Sequence, residues 1–314
     1  MPAQNSLQDS GGNERGMSSP FHPHGVIVPM VTPFNSKSEV DYSALDRLTE
    51  FLITNGVHGL MPLGTSGEFA LLSQEERVGV IERVVSRTRR RVPVVAGISE
   101  PGTRLAAKRA FQAERAGADA VIATGPYYYR TDDEGLLLHY QSILNQTRLP
   151  LMVYNIPSYA GYNIPPEVVN KLCEKNPGRI AGVKFTTNDL GLFLEYLREL
   201  KTKTQILIGS DSLFFSALGL GAAGGVLGSA NVLPEETVSI YNSYTKGDFS
   251  RAGNIQGRID GFTSAMALGT YPSSLKEALR LIGLDCGEVR APLVPLLPDQ
   301  KLKIKQSLDW KVKK

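Results

Sequence analysis

A short apolar run followed by a longer amphipathic stretch recurs eight times along this chain, and that rhythm constrains its fold more than any other feature. The runs are VIVPMV (26–31), VHGLMPL (57–63), VPVVAGI (92–98), ADAVIAT (118–124), LPLMVY (149–154), IAGVKF (180–185), QILIG (205–209) and GGVLGS (224–229). They lack the polar alternation of a strand with one wet face, so each must be covered on both sides, as in a parallel sheet. Between them lie segments with helical spacing, such as YSALDRLTEFLITNG (42–56), SQEERVGVIERVVSRT (73–88) and GTRLAAKRAFQAERAG (102–117). Ser73 with Glu76 forms a capping-box pattern, and Gly56 and Gly117 stand where a helix end favours a left-handed residue. Repeated β/α units of this kind predict an α/β fold, a (β/α)8 TIM barrel, which a chain of 314 residues can build as a single domain.

At both ends the rhythm breaks. Residues 1–22 are polar, rich in Gly and Ser and nearly free of large apolar side chains, which predicts a flexible tail. The barrel is expected over 23–246. Beyond it, DFSRAGNIQGRIDGFTSAMALG and YPSSLKEALRLIG read as helices without intervening strands, so 247–314 is expected to form a C-terminal helical extension.

Composition removes several function classes. The formal net charge is +3, and the basic clusters (Arg87, Arg89, Arg90 and Arg91; Lys311, Lys313 and Lys314) fall at a helix end and the chain terminus, which argues against a nucleic-acid partner. No apolar run approaches the ~20 residues of a membrane span, and no charged-then-apolar leader opens the chain, so a soluble, cytoplasmic protein with no membrane partner is expected. Cys173 and Cys286 supply neither a disulfide framework nor zinc-type spacing, and His22, His24, His58 and His139 are scattered, so no metal site is expected. Gly219, Gly221 and Gly224 match G-x-G-x-x-G, but a helical pattern precedes them and a strand follows. That is the reverse of a dinucleotide site, and a tight turn is the expected role.

In a barrel of this type the chemistry sits at the C-terminal ends of the strands. The polar residues there are Thr65 and Ser66, Tyr127 to Tyr129, Tyr154 and Asn155, Lys184, Asp211, and Ser229 and Asn231. Lys184 is the odd one, an amine continuing a buried apolar run. Lysine is seldom fully buried, and taken alone it would be a lysine snorkelling to solvent from a strand end. Likewise Tyr154 alone would be a packed aromatic, and Gly64-Thr65-Ser66-Gly67 alone a turn. Their coincidence at one end of successive strands reverses those preferences. A desolvated lysine is a nucleophile toward ketones, forming a Schiff base. A phenol beside it can shuttle the protons that dehydration requires. A glycine-flanked turn aims amides and hydroxyls at a carboxylate. The combination fits a 2-oxo acid.

These residues resemble the dihydrodipicolinate synthase and N-acetylneuraminate lyase family of class I aldolases. The resemblance runs from about 25 to 298 through Gly64-Thr65-Ser66-Gly67-Glu68, Pro126-Tyr127-Tyr128, Tyr154-Asn155-Ile156-Pro157 and Gly182-Val183-Lys184. It implies a barrel with C-terminal helices, a homotetramer of two tight dimers, and no redox or organic cofactor. It implies Lys184 as the Schiff-base residue, Tyr154 as proton shuttle, Thr65 as relay and Ser66 on the pyruvyl carboxylate. Val226 would line the pyruvate pocket, and Tyr128 would approach a neighbouring subunit's site.

Departures concern the second substrate. Where the synthases continue their tyrosine motif with Ser-Arg, the arginine receiving a substrate carboxylate, this chain has Ser158-Tyr159. Phe185 replaces a glutamate common in the synthases, and Thr186 and Gly209-Ser210-Asp211 resemble the sugar-acid aldolases. Ser212 stands where neuraminate lyases carry a glutamate. Tyr159 and Phe185 are expected to form an apolar wall, with Thr186, Asp211, Ser212 and Ser229 toward substrate hydroxyls. The leading expectation is therefore a pyruvate-dependent aldolase or lyase acting on a 2-keto-3-deoxy sugar acid or similar hydroxylated 2-oxo acid, with an aldehyde as the other partner. The alternatives are 4-hydroxy-tetrahydrodipicolinate (dihydrodipicolinate) synthase, a Schiff-base 2-oxo acid dehydratase, and a non-catalytic sugar-acid-binding barrel. The last has no use for Lys184 and Tyr154 together.

Overall fold

The computed structural model describes residues 21–312, so nearly all of the expected tail lies outside the described residues. The strands are β1 (Gly25–Pro29), β2 (Gly59–Met61), β3 (Val95–Gly97), β4 (Ala120–Thr124), β5 (Leu151–Asn155), β6 (Ile180–Phe185), β7 (Gln205–Ile208) and β8 (Gly224–Val226). They form one parallel sheet in the order β2-β1-β8-β7-β6-β5-β4-β3, and a parallel bridge between Leu60 and Val94 brings the two edges together as a barrel. Each strand lies within or close to its expected run and most are shorter. Pro62, for example, cannot donate to a ladder, and β2 stops before it.

The helices that cover the barrel are α1 (Tyr42–Thr54), α2 (Gln74–Thr88), α3 (Thr103–Arg115), α4 (Asp133–Gln146), the single turn α5 (Pro157–Ala160), α6 (Pro166–Lys175), α7 (Leu190–Leu200), α8 (Phe214–Leu220) and α9 (Pro234–Thr245). After them come α10 (Phe249–Ala265), α11 (Ser273–Leu281), α12 (Pro298–Ser307) and α13 (Asp309–Val312), with no strand among them. Local chemistry sets the boundaries. The Ser73 side chain accepts from the Glu76 amide while the Glu76 side chain accepts from the Ser73 amide, closing the capping box of α2 and stabilising it by about 1 kcal/mol. Gly221 ends α8 at φ 106°, and Gly224 lies in β8 against the backbone of Gly25, so the glycine-rich segment is the expected helix-to-strand turn.

Two apolar layers result. Val26, Val28, Val121, Val183 and Phe185 pack outward under the helices. Ile27, Met61, Val95, Ala120, Ile122, Met152, Tyr154, Leu207 and Val226 fill the barrel interior. Strand β6 changes phase within its length. Ile180 belongs to the outer layer, Ala181 to the inner one, and Val183 and Phe185 again to the outer one. The cause is a register shift in the β5–β6 ladder, where Leu151 faces Ile180 but Met152 faces Gly182. One extra residue in a strand exchanges its two faces. Lys184, which would share the outward face of Ile180 in a regular strand, is turned inward beside its ladder partner Tyr154.

The same register overturns the expected role of Phe185. It points away from the barrel interior and packs on Tyr196 of α7 at 4.4 Å between ring centroids, so it is no wall of an interior pocket.

Candidate active site

The loops at the C-terminal ends of β2, β5, β6, β7 and β8 converge with the loop that leads into α11. Lys184 is 4% exposed. Among the described residues its Nζ has no hydrogen-bond or ion-pair partner and lies 4.0 Å from the centroid of the Tyr154 ring. A desolvated amine over an aromatic face retains some electrostatic attraction, and the Asp211 carboxylate acts on it without forming a direct ion pair. Tyr154 is buried as well, and its hydroxyl stands 3.3 Å from Thr65 Oγ1. Lysine, phenol and threonine thus lie side by side, the amine over the ring of Tyr154 and the threonine at its hydroxyl.

The turn after β2 is held under constraint. Leu63 and Glu68 bracket it in left-handed conformations, at φ 62° and 54°, which cost a non-glycine residue energy unless the surroundings hold it there. The Thr32 hydroxyl donates to Gly67 O at 2.7 Å. Glu68 is gripped from the C-terminal helices: Lys276 Nζ lies 2.8 Å from its carboxylate, and the Arg290 amide donates to it at 2.8 Å. Arg290 in turn binds Glu76 at 2.7 Å.

Ser66, on that turn, is buried, and its Oγ is 2.7 Å from the hydroxyl of Tyr271. Tyr271 was not among the residues expected from the sequence. It comes from the helical extension and belongs to no strand end, and the only local signal is an aromatic before Pro272 and the helix pattern of α11. Burial, followed by the proximity of Asp211, Tyr154 and Tyr159, pushes its phenol far above the ordinary value, so it remains a neutral O–H.

Other expected contacts have different surroundings. Asp211 accepts from the amides of Ser229 at 2.8 Å and Gly228 at 3.3 Å, so its carboxylate braces the loop after β8. Burial raises its pKa, opposed by those hydrogen bonds and by the nearby Lys184. Ser229 is buried, with its hydroxyl 3.5 Å from that of Thr237 of α9. Val226 is 1% exposed in the barrel interior. Thr186 Oγ1 is buried without a hydrogen-bond partner. Ser212 is exposed. Tyr159, on α5, is 58% exposed, and partial burial and then Tyr154 raise its pKa. Tyr128 and Tyr129 protrude after β4, 78% and 76% exposed. Asn155 and Asn231 are braces: Asn155 ties β5 to Tyr196 and Ile164, and Asn231 ties the β8 loop to Pro29 and Val31.

The histidines serve local structure, His58 accepting from the Val26 amide at 3.1 Å and His139 facing the Thr103 hydroxyl at 3.1 Å. Among the described residues no group of three His, Cys, Asp or Glu side chains could hold a metal ion, and no helix is long and apolar enough to cross a membrane.

Fold and site together define a (β/α)8 barrel with a buried lysine on its sixth strand, beside the turns at the C-terminal ends of the strands. The chain belongs to the dihydrodipicolinate synthetase family, whose model matches residues 22–311. It is 36% identical over 284 residues to 4-hydroxy-tetrahydrodipicolinate synthase from Thermodesulfovibrio yellowstonii, covering 90% of this chain and 97% of that one. To the enzyme of the same name from Bacillus subtilis it is 32% identical over 283 residues, covering 90% and 97%. Among solved structures, the dihydrodipicolinate synthase from Thermotoga maritima superposes with a TM-score of 0.88 at 29% identity, covering 91% of this chain and 98% of that one. YagE from E. coli K12, a protein of the dihydrodipicolinic acid synthase family solved in complex with pyruvate, does so with a TM-score of 0.88 at 28% identity, covering 91% and 98%. The family's members are class I aldolases and lyases acting on carbon–carbon bonds, and this chain is a lyase of that group.

Proposed function

We propose that this lyase works through a Schiff base between Lys184 and pyruvate or another 2-oxo acid, with no bound cofactor. The observation that carries the reading is a buried amine set against the Tyr154 ring, with Asp211 nearby but no direct hydrogen bond or ion pair among the described residues. The neutral Nζ adds to the C2 carbonyl. The carbinolamine then loses the C2 oxygen as water, with the proton delivered by Tyr154 and replenished through Thr65. The protonated imine accepts the electron pair of a C3–H bond as the proton passes to the Tyr154–Thr65 pair, and the resulting enamine adds to an aldehyde whose oxygen takes that proton up. In reverse the Tyr154–Thr65 pair takes the proton of the C4 hydroxyl while the imine accepts the electrons of the C3–C4 bond and the aldehyde is released. Ser66 and the amides of its turn hold the carboxylate, and Val226 lines the pocket. The pyruvate bound to YagE supports the first substrate.

For the second substrate, the names of the relatives favour 4-hydroxy-tetrahydrodipicolinate synthase over the sugar-acid cleavage expected first from the sequence. One observation keeps the sugar-acid reading: Tyr159, half exposed on α5, stands where the synthases place a carboxylate-binding arginine. A phenol offers one neutral hydrogen bond in place of a bidentate, charge-assisted pair. The deciding experiment compares kcat/KM for pyruvate plus aspartate semialdehyde with that for cleavage of 2-keto-3-deoxy sugar acids. A tenfold advantage for either settles the ranking. Borohydride reduction with pyruvate that leaves Lys184 unmodified overturns the Schiff-base reading itself. In the same reading the protein is a homotetramer in which Tyr128 reaches a neighbouring subunit's site, which sedimentation checks.

A further inference from the structure

Consecutive residues of the turn after β2 are each joined to a tyrosine. Thr65 meets Tyr154 of β5, and Ser66 meets Tyr271 of the C-terminal extension at the shorter distance of 2.7 Å. Tyr271 is fixed from both sides. A Cβ on Gly228 would lie 2.9 Å from its hydroxyl, so the loop after β8 closes tightly on it. Five residues on, Lys276 holds Glu68 on the same turn. The segment leading into α11 thus grips two alternate residues of the turn, Ser66 by a hydroxyl and Glu68 by an ammonium.

A pair of hydroxyls shares one hydrogen and leaves the other free, and the direction decides what the free one can do. The 2.7 Å contact allows either hydroxyl to donate; with Tyr271 donating to Ser66 Oγ, Ser66 Oγ–H is left to point at an acceptor, and an anion there favours that direction. The buried phenol stays protonated, so it keeps a hydrogen to donate over the working pH range.

We propose that Tyr271 is a positioning residue for the 2-oxo acid: its hydroxyl, donating to Ser66, presents the Ser66 O–H to the substrate carboxylate. The proposal rests on the Schiff-base reading above and gives the C-terminal extension a part in substrate binding. Its test is the pyruvate concentration for half-maximal borohydride trapping at Lys184, read by peptide mass spectrometry in wild type, Tyr271→Phe, Ser66→Ala and the double variant. Tyr271→Phe removes one atom and leaves the ring in place. It is expected to raise the half-saturating concentration roughly five- to twentyfold, the scale of one hydrogen bond to a charged group. In the Ser66→Ala background the same change is expected to add less than about twofold, since its route to the substrate is gone. In steady-state assays KM for the 2-oxo acid should rise more than kcat falls. Equal shifts in both backgrounds, or no shift in either, overturn the proposal. Absence of trapping in the wild type overturns the Schiff-base reading and is a separate result.

Discussion

Two lysines of this chain are equally buried and are treated in opposite ways. Lys276, 2% exposed, has a carboxylate at 2.8 Å, donates to Glu288 O at 3.0 Å and lies 4.1 Å from the centroid of Phe34. Burial lowers its pKa, and Glu68 works against that. Lys184, 4% exposed, has the aromatic face of Tyr154 and no hydrogen-bond or ion-pair partner among the described residues. An ammonium taken out of water is normally tolerated only with its counter-charge and hydrogen bonds, and Lys276 meets that condition. Lys184 has only the longer-range attraction of Asp211 and no direct ion pair among the described residues, so it can add to a ketone without first breaking one. The comparison separates a lysine that holds the molecule together from one held ready for a reaction, a distinction that burial alone does not make.

The comparison breaks if the two substitutions behave alike. Lys184→Met is expected to abolish the pyruvate adduct and to lower kcat by roughly 10³-fold or more. Its melting temperature should be unchanged or higher, because Lys184 makes no hydrogen bond or ion pair among the described residues for the substitution to break. Lys276→Met should do the reverse, destabilising the protein in urea by about 3–5 kcal/mol because the buried Glu68 loses its counter-charge, while the folded variant still forms the adduct at Lys184. Replacing both members, with Glu68→Gln added, should restore at least half of that stability. A Lys184 variant less stable than the Lys276 variant would contradict the assignment.

The smallest effect sharpens the structural side of the comparison. Glu76 has its pKa lowered, chiefly by the hydrogen bond from Arg290, whose amide also binds Glu68. A carboxylate depressed on folding adds stability that is fully present above its unfolded pKa, here the ordinary 4.5, and is lost as pH falls through the lower folded value. Glu76→Gln should therefore lower stability by about 1 kcal/mol at neutral pH, the scale of a partly exposed pair. In thermal melts the gap from wild type should close below pH 4.5. A gap that persists at pH 3 would assign Glu76 a packing role instead.

How much of this was legible in advance depends on the range of the interactions. The eight strand runs, the capping box of α2 and the left-handed Gly56 and Gly117 are matters of periodicity and local backbone preference, and they stand in the structure as they read in the sequence. Lys184, Tyr154, Thr65 and Ser66 could be collected because barrel topology brings strand ends together whatever the loops do. Phe185 was misassigned because the facing of a side chain depends on register and on packing partners distant in the chain. Tyr271 and the Glu68–Lys276 pair were invisible, since each joins residues about 200 positions apart. The sequence by itself determined the layer architecture, the helix ends and the reactive residue types, all set by patterns a few residues long. Only the tertiary structure decided that Lys184 faces inward, through a one-residue register shift against β5, and that the C-terminal extension reaches Ser66, because register and long-range contact are settled by neighbours that no local pattern encodes.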